Sequence, residues 1–268
     1  MEAVTRNRTT RQTALITGAS VGIGYELARQ FARGQYDLVL VARNEEKLRE
    51  VAEGIKREFG VGADVMTADL ADPGAAGRLV DQLAGRRVDV LVNNAGFGAI
   101  GRFDEIELAR QLEMIQVNVT SLVDFTHRLV PGMISRGSGG VLNVASTASF
   151  QAGPWMAIYY ATKAFVLSFS EALAVELRKT GVKVTALCPG PTHSEFRQRA
   201  KMEKSPLFKS SAIPVMTAEA VARAGYRGFL RGKRVVIPGW VNRLGVLGAK
   251  WGTRAMAARL AGKINRAK

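Results

Sequence analysis

Tyr159 and Lys163 stand four residues apart, a spacing that puts both side chains on one face of a helix. A lysine ammonium beside a phenol favours the phenolate and lowers the tyrosine pKa. Such a tyrosine can give a proton to an oxygen, or take one, near neutral pH. Tyr160 sits next to it but lacks the offset to Lys163. Ser146 lies upstream, just past a run that reads as a buried strand. It stands at the carboxyl edge where ligands bind, or it simply caps a turn.

A second constellation lies nearer the N-terminus. Thr17-Gly18-Ala19-Ser20-Val21-Gly22-Ile23-Gly24 joins an apolar run to a helical pattern. Small residues there let the backbone approach a pyrophosphate, which the free N–H groups and the helix dipole would favour. The plainer reading is a tight strand–helix turn. Position at the first strand of an alternating chain favours a dinucleotide, although the spacing is TGxxxGxG rather than GxGxxG. At the end of the second strand, Leu40-Val41-Ala42-Arg43 carries no carboxylate to bind the ribose hydroxyls of NAD. Arg43 can pair with a 2′-phosphate instead, which points to NADP(H); the alternative is a solvated arginine opening a helix.

These residues need a scaffold, and the chain alternates in the required way. Buried strands are expected at 13–17, 37–42, 63–67, 88–92, 141–145, 182–187 and 235–237, each bounded by Gly, Asp, Asn or Pro. Helices are expected at 22–33, stopping at Gly34, and after Asn44 as N-cap, with Leu48, Val51 and Ile55 on one face. Longer ones fit 107–134 and 155–179, and Thr217 can cap another ending near Leu230. The expected fold class is α/β: a doubly wound parallel sheet of about seven strands, a Rossmann fold, with helices on both faces. Ligands of such sheets bind beyond the carboxyl ends of the strands.

Composition bounds the rest. The 268 residues are 47% hydrophobic and 23% charged, which suits one large domain and excludes a disordered or collagen-like chain. Cys188 is the single cysteine, so no intrachain disulfide and no cysteine-based zinc site can form. His127 and His193 make no ligand cluster, so no metal is expected. The N-terminus lacks a signal-peptide core and no apolar run reaches spanning length, which points to a cytoplasmic protein, with a peripheral membrane position open. The net charge of +15 is uneven: residues 220–268 hold twelve basic residues and no acidic one, while 13–219 are nearly balanced. The expected organisation is a basic arm at 1–12, a Rossmann domain at 13–239 and a basic C-terminal helical extension at 240–268.

Taken in order, TGASVGIG at 17–24, Asp69-Leu70, Asn93-Asn94-Ala95-Gly96, Asn118, Ser146, Tyr159-x-x-x-Lys163 and Pro189-Gly190 resemble the short-chain dehydrogenase/reductase family over about residues 13–240. The NADP-preferring carbonyl and ketoacyl reductases are the most similar branch. The resemblance implies hydride transfer between NADPH and a carbonyl carbon, with Tyr159 supplying the proton. It assigns Lys163 to tuning Tyr159 and holding the nicotinamide ribose, and Ser146 to the substrate oxygen. Asn118 would hold a water linking Lys163 to solvent. Gly18, Ser20, Gly22, Ile23, Gly24 and Arg43 would bind the phosphates, and Asp69 and Leu70 the adenine. Asn94, Ala95 and Gly96 would line the adenosine side. Pro189, Gly190, Thr192 and Ser194 would flank the nicotinamide, with Thr147 a neighbour of open role. The resemblance also implies a homodimer or homotetramer built on the long helices. Val21 stands where some NADP-preferring relatives carry a base, so the preference rests on Arg43.

The substrate is less legible. Segment 192–215 mixes Phe196, Met202, Leu207, Phe208 and Ile213 with Arg197, Arg199, Lys201, Lys204 and Lys209. The apolar members, with Trp155 and Met156, suggest a moderately hydrophobic ketone, aldehyde or alcohol; the bases either welcome an acidic substrate or face water. Trp240, Leu244, Leu247 and Trp251 form an amphipathic stripe beside Arg243, Lys250 and Arg254, weakened by Gly245, Gly248 and Gly252. Packing on this or a neighbouring subunit, docking on an anionic membrane, and, more remotely, nucleic-acid binding are the readings of that stripe. A lipid, steroid or fatty-acyl ketoreductase at a membrane surface and a non-catalytic NADP-binding regulator are the alternative functions.

Overall fold

A computed structural model describes residues 11–193, 215–251 and 253–266. Seven strands form one parallel sheet: β1 (Thr13–Thr17), β2 (Asp37–Ala42), β3 (Ala63–Thr67), β4 (Val90–Asn93), β5 (Gly139–Val144), β6 (Val182–Leu187) and β9 (Val235–Val236). Their order is β3-β2-β1-β4-β5-β6-β9. The order reverses between β1 and β4, so a crevice opens at their carboxyl ends. A separate ribbon pairs β7 (Thr192–His193) with β8 (Met216–Thr217).

Residue alternation decides which helix covers which face. Ala14 and Ile16 of β1 point to one side, where α1 (Gly22–Arg33), α2 (Glu45–Phe59) and α7 (Ala218–Leu230) supply Phe31, Leu48, Ile55 and Phe229. Leu15 points to the other, where α3 (Ala75–Gln82) and α5 (Ser121–Ser135) supply Leu79, Phe125 and Met133. The last buried group is smaller: Val166 and Leu167 of α6 (Ala157–Glu176) pack on Ala186 and Cys188. No helix among the described residues is long and apolar enough to cross a membrane.

Several expectations shift at the edges. β4, β5 and β9 differ from the expected strands by one or two residues at their ends. α1 stops at Gly34 as expected, but the left-handed residue is Gln35, at φ 63°. Asn44 caps α2, its Oδ1 accepting the Lys47 N–H at 2.8 Å, and Thr217 caps α7. The expected helix at 107–134 is α4 (Leu108–Ile115), a π-helical turn (Gln116–Thr120) and α5. The expected helix from 155 to 179 is helical as α6 over 157–176 and finishes in a 3₁₀ turn, because Trp155 takes φ 69° and cannot begin it. α3 was not expected; Gly74 starts it without a capping side chain, and its eight residues are too few to show a period. β7 and β8, two residues each, are below any sequence signal.

Beyond β9, α8 (Trp240–Trp251) and α9 (Arg254–Asn265) form a helical hairpin. α8 runs through Gly245 and Gly248, because Val246 and Asn242 bury one face against the body.

Candidate active site

The crevice is a cavity of about 770 Å³. Gly18, Ser20, Gly22, Ile23, Gly24, Arg43, Asp69, Leu70, Asn94, Ala95, Gly96, Ser146, Tyr159, Lys163, Pro189, Gly190 and Thr192 all line it, as does Thr147. Ser194 and the apolar and basic residues expected of a lid at 196–213 lie outside the described residues. Asn118 is buried behind the wall and does not line the cavity.

One end is a backbone cradle. Thr17 Oγ1 accepts the N–H groups of Asn94 and Ala95, both at 3.0 Å. Asn94 Nδ2 donates back to the carbonyls of Thr17 and Gly18 at 2.9 and 3.1 Å. The turns after β1 and β4 are thereby tied together. A Cβ on Gly24 would collide with the Gly18 carbonyl and with Asn94 Nδ2, so the approach of α1 to its turn requires glycine. Unlike α2, α7 and α9, α1 has no capping side chain; Val21 offers none. An uncapped helix N-terminus in a glycine turn on a cavity wall suits the pyrophosphate of a dinucleotide. Arg43 Nη1 lies 3.7 Å from Asp69 Oδ2 at the same end, a half-exposed pair that costs little to rearrange. The sequence placed no carboxylate at the end of β2; the fold brings one there from beyond β3. Asp69 Oδ1 also accepts the Ala71 N–H at 3.0 Å.

At the middle, Ser146 caps the 3₁₀ turn Thr147–Phe150, accepting the Ala148 N–H at 3.1 Å. It also bonds the Tyr159 hydroxyl, so the turn cap reaches into the cavity. Lys163 Nζ donates to the Val144 carbonyl at 2.8 Å and lies 6.0 Å from the Tyr159 ring centre. Gly96 packs between Asn118 and Lys163; a Cβ there would stand 2.9 Å from Asn118 Oδ1 and 3.3 Å from Nζ.

The expected lowering of the Tyr159 pKa is not what this geometry produces. Burial pushes the phenol up to about 12, the Ser146 bond only partly opposing it. Burial also pulls Lys163 down to about 8. Lys163 is turned to the Val144 carbonyl rather than onto the phenol oxygen, which leaves desolvation dominant. A phenol held there keeps its proton at neutral pH. Burial likewise pushes the Cys188 thiol up to about 12, in keeping with a packing role.

Asn118 sits in the π-helical turn. Its Nδ2 donates to the Phe97 carbonyl and to Thr162 Oγ1, and its Oδ1 accepts the Phe97 N–H, all at 3.0 Å. Both ends of the amide are thus committed to protein partners. The side chain fixes the 94–97 turn against α6.

The far end is an apolar wall that motif reading missed. Phe97, Val117, Phe150 and Met156 line it, together with Val241, Val246, Ala261 and Ile264 of α8 and α9. Met156 was anticipated. Trp155 does not line the cavity; its ring lies under the Arg266 guanidinium at 5.6 Å. Polar groups are few. Asn265 Nδ2 donates to the Pro154 carbonyl at 3.1 Å and its Oδ1 accepts from Tyr160 at 3.3 Å, pinning α9 beside α6. Asn242 Nδ2 donates to the Pro238 carbonyl at 2.8 Å. Arg110 stacks 3.9 Å over Phe97 and pairs with Glu113. His127 and His193 are exposed, and no cluster of metal-binding side chains occurs among the described residues.

Known proteins resemble this chain over most of its length. The sequence pattern described as short chain dehydrogenase matches residues 12–205. Sulfoacetaldehyde reductase 2 of Chromohalobacter salexigens is 39% identical over 186 residues, 68% of this chain and 73% of that protein. A putative ketoacyl reductase of Streptomyces coelicolor is 38% identical over 204 residues, 75% of this chain and 78% of that protein. Among solved structures, a short-chain dehydrogenase from Sphingobium yanoikuyae in complex with NADPH superposes with a TM-score of 0.80 at 35% identity, over 90% of this chain and 94% of that one.

Proposed function

This chain belongs to the short-chain dehydrogenase/reductase family, and from that premise we propose an NADP(H)-preferring reductase of moderately hydrophobic ketones or aldehydes, reversible on the matching alcohols. It is an enzyme acting on a carbonyl or CH–OH group with a nicotinamide cofactor. The finer reading is carried by one observation: Ser146, Tyr159 and Lys163 share a cavity with the uncapped α1 turn and Arg43 at one end and an apolar wall at the other.

The cradle fits the dinucleotide. Gly18, Gly22 and Gly24 with the α1 N-terminus would hold the pyrophosphate, Asp69 and Leu70 the adenine, and Arg43 a 2′-phosphate, by exchanging its weak pair with Asp69. When bound, the reduced nicotinamide supplies a hydride equivalent to a carbonyl carbon. Tyr159 donates its phenolic proton to the carbonyl oxygen. Ser146 donates a hydrogen bond to the same oxygen and steadies it as negative charge develops. Lys163 provides positive charge beside the new phenolate and a donor for the nicotinamide ribose. Asn118 holds the Phe97 backbone and Thr162, and so keeps α6 and its Tyr159–Lys163 pair in register with the cofactor turn. In oxidation the proton moves the other way.

The apolar far wall favours a hydrophobic substrate over a sugar or a charged metabolite. A regulator with a spent site would have no need of this complete triad. Exposed Leu108, Leu112 and Ile115 on α4 and Phe165 and Val175 on α6 support a homo-oligomer built on the long helices. The test of the assignment is loss of NADPH absorbance over a panel of ketones and aldehydes, repeated with NADH. The expected result is turnover of the apolar members, with NADPH preferred by about tenfold or more in kcat/KM. NADPH binding with no turnover of any carbonyl would favour the regulator.

A further inference from the structure

The hairpin α8–α9 has two faces with opposite fates. Its inner face, Val241, Val246, Ala261 and Ile264, walls the substrate end of the cavity. Its outer face leaves Trp240 72%, Leu244 57% and Leu247 50% exposed, at positions i, i+4 and i+7 of α8. Met256 and Leu260 of α9 are exposed at 64% and 61%. Leu260 also lines the cavity, so the apolar outer surface runs up to the cavity mouth.

Five large apolar side chains left in water on one hairpin call for a cover. The charge around them says which. Arg243, Arg254, Arg259, Lys263 and Arg266 are exposed on the same hairpin, and the chain has no acidic residue after Glu219. A second copy docking tail to tail would bring an equally basic surface against this one. Segment 194–214 is net basic as well, with Arg197, Arg199, Lys201, Lys204 and Lys209 against Glu195 and Glu203. A nucleic-acid backbone would satisfy the charge but would leave Leu244, Leu247, Met256 and Leu260 in water. An anionic bilayer surface answers both features, with the apolar side chains entering the acyl boundary and the bases meeting lipid phosphates.

We propose that the outer face of α8–α9 docks this protein on anionic lipid bilayers and sets the mouth of the cavity, at Leu260, against the membrane. The docking goes beyond the catalytic assignment and does not depend on it. The hairpin is a lid wall on one side and an interfacial anchor on the other.

The test is sedimentation of the full chain with phosphatidylcholine vesicles, with and without phosphatidylglycerol. The variant is Trp240→Ser/Leu244→Ser/Leu247→Ser, whose side chains do not line the cavity. Its fold is verified by NADPH binding and by reduction of a water-soluble ketone equal to wild type. Expected are pelleting that requires phosphatidylglycerol and weakens with added salt, and a loss of about tenfold or more in the variant. A second variant, Arg254→Gln/Arg259→Gln, is expected to lose the phosphatidylglycerol dependence in part. Equal pelleting of wild type and the triple variant would overturn the proposal, and so would no pelleting of either. Loss of dimer mass in the triple variant with unchanged pelleting would assign the face to a second copy instead. A single-stranded RNA that binds both forms alike and abolishes pelleting would assign the charge to nucleic acid.

Discussion

At the cofactor end of the cavity, Thr17, Gly18, Gly24 and Asn94 meet through backbone atoms, one hydroxyl and one amide, each partner fixed within a few residues of a strand end. At the substrate end, Phe150, Met156, Val246 and Ile264 are brought to one cavity wall from segments far apart in the chain. Both ends serve one cavity. The first is a local device: its residue types follow from left-handed backbone and helix–turn contact, so few substitutions are compatible with it. The second is a tertiary device that needs only apolar volume, which many residues supply. A pocket made in this way can keep one chemistry while its specificity changes.

The sharpest way to break that contrast is Gly24→Ala. The new Cβ meets the Gly18 carbonyl and Asn94 Nδ2, so the turn must open. We expect NADPH affinity to fall by about a hundredfold and stability by about 1–3 kcal/mol, as overpacking does. Calorimetry and fluorescence titration check both; wild-type affinity would show that the cradle tolerates a side chain. Arg43→Gln comes next. Its expected effect is confined to one cofactor, with KM for NADPH rising about tenfold and KM for NADH unchanged, because only the phosphate contact is lost. Equal changes for both cofactors would mean that Arg43 does not read the 2′-phosphate.

At the other end, Asn265→Ala removes the bonds to the Pro154 carbonyl and Tyr160. The loss is about 1–2 kcal/mol of anchoring for α9. KM for the carbonyl substrate is expected to rise several-fold while KM for NADPH stays put, which steady-state kinetics with each substrate varied in turn will separate. A matched rise in both would merge the two ends into one unit. The smallest effect concerns pH. Tyr159, held near 12, stays protonated throughout the working range, and Lys163, held near 8, loses its charge as pH rises through that value. Reduction needs the neutral phenol and the charged lysine. Its kcat/KM should therefore be level below about pH 8 and fall above it. A profile that rises from pH 7 to 9 would contradict this protonation scheme.

The same contrast explains what the sequence disclosed. The glycine turn, the i, i+4 pair and the Asn44 and Thr217 caps are rules of local backbone geometry, and each was legible from neighbours in the chain. Arg43 lines the cavity beside the glycine turn, but Asp69 as its partner was not legible, since the contact joins two strand ends. Asn118 was legible as a position, but its amide's bonds to Phe97 and Thr162, across twenty or more residues, were not. The stripe Trp240–Leu244–Leu247 has the right period, yet α8 buries the opposite face, because Asn242 and Val246 fit against the body. Periodicity finds an apolar face; only packing says which face turns inward. The Tyr159 pKa failed for a related reason, since spacing cannot report burial or where Lys163 Nζ points.

The basic charge of the chain takes on a place in this picture. Seven of the twelve basic residues in the acid-free segment 220–268 follow Gly239, in the stretch that forms the hairpin, while Arg43 is the cation beside the glycine turn.

The central claim is that Tyr159 is the proton donor in a cavity whose cofactor end works independently of it. Tyr159→Phe tests this most directly, with NADPH affinity and turnover of a hydrophobic ketone measured on the same preparation. The account predicts a fall in kcat of about a thousandfold or more with NADPH affinity within about twofold of wild type. Turnover near the wild-type rate would contradict it.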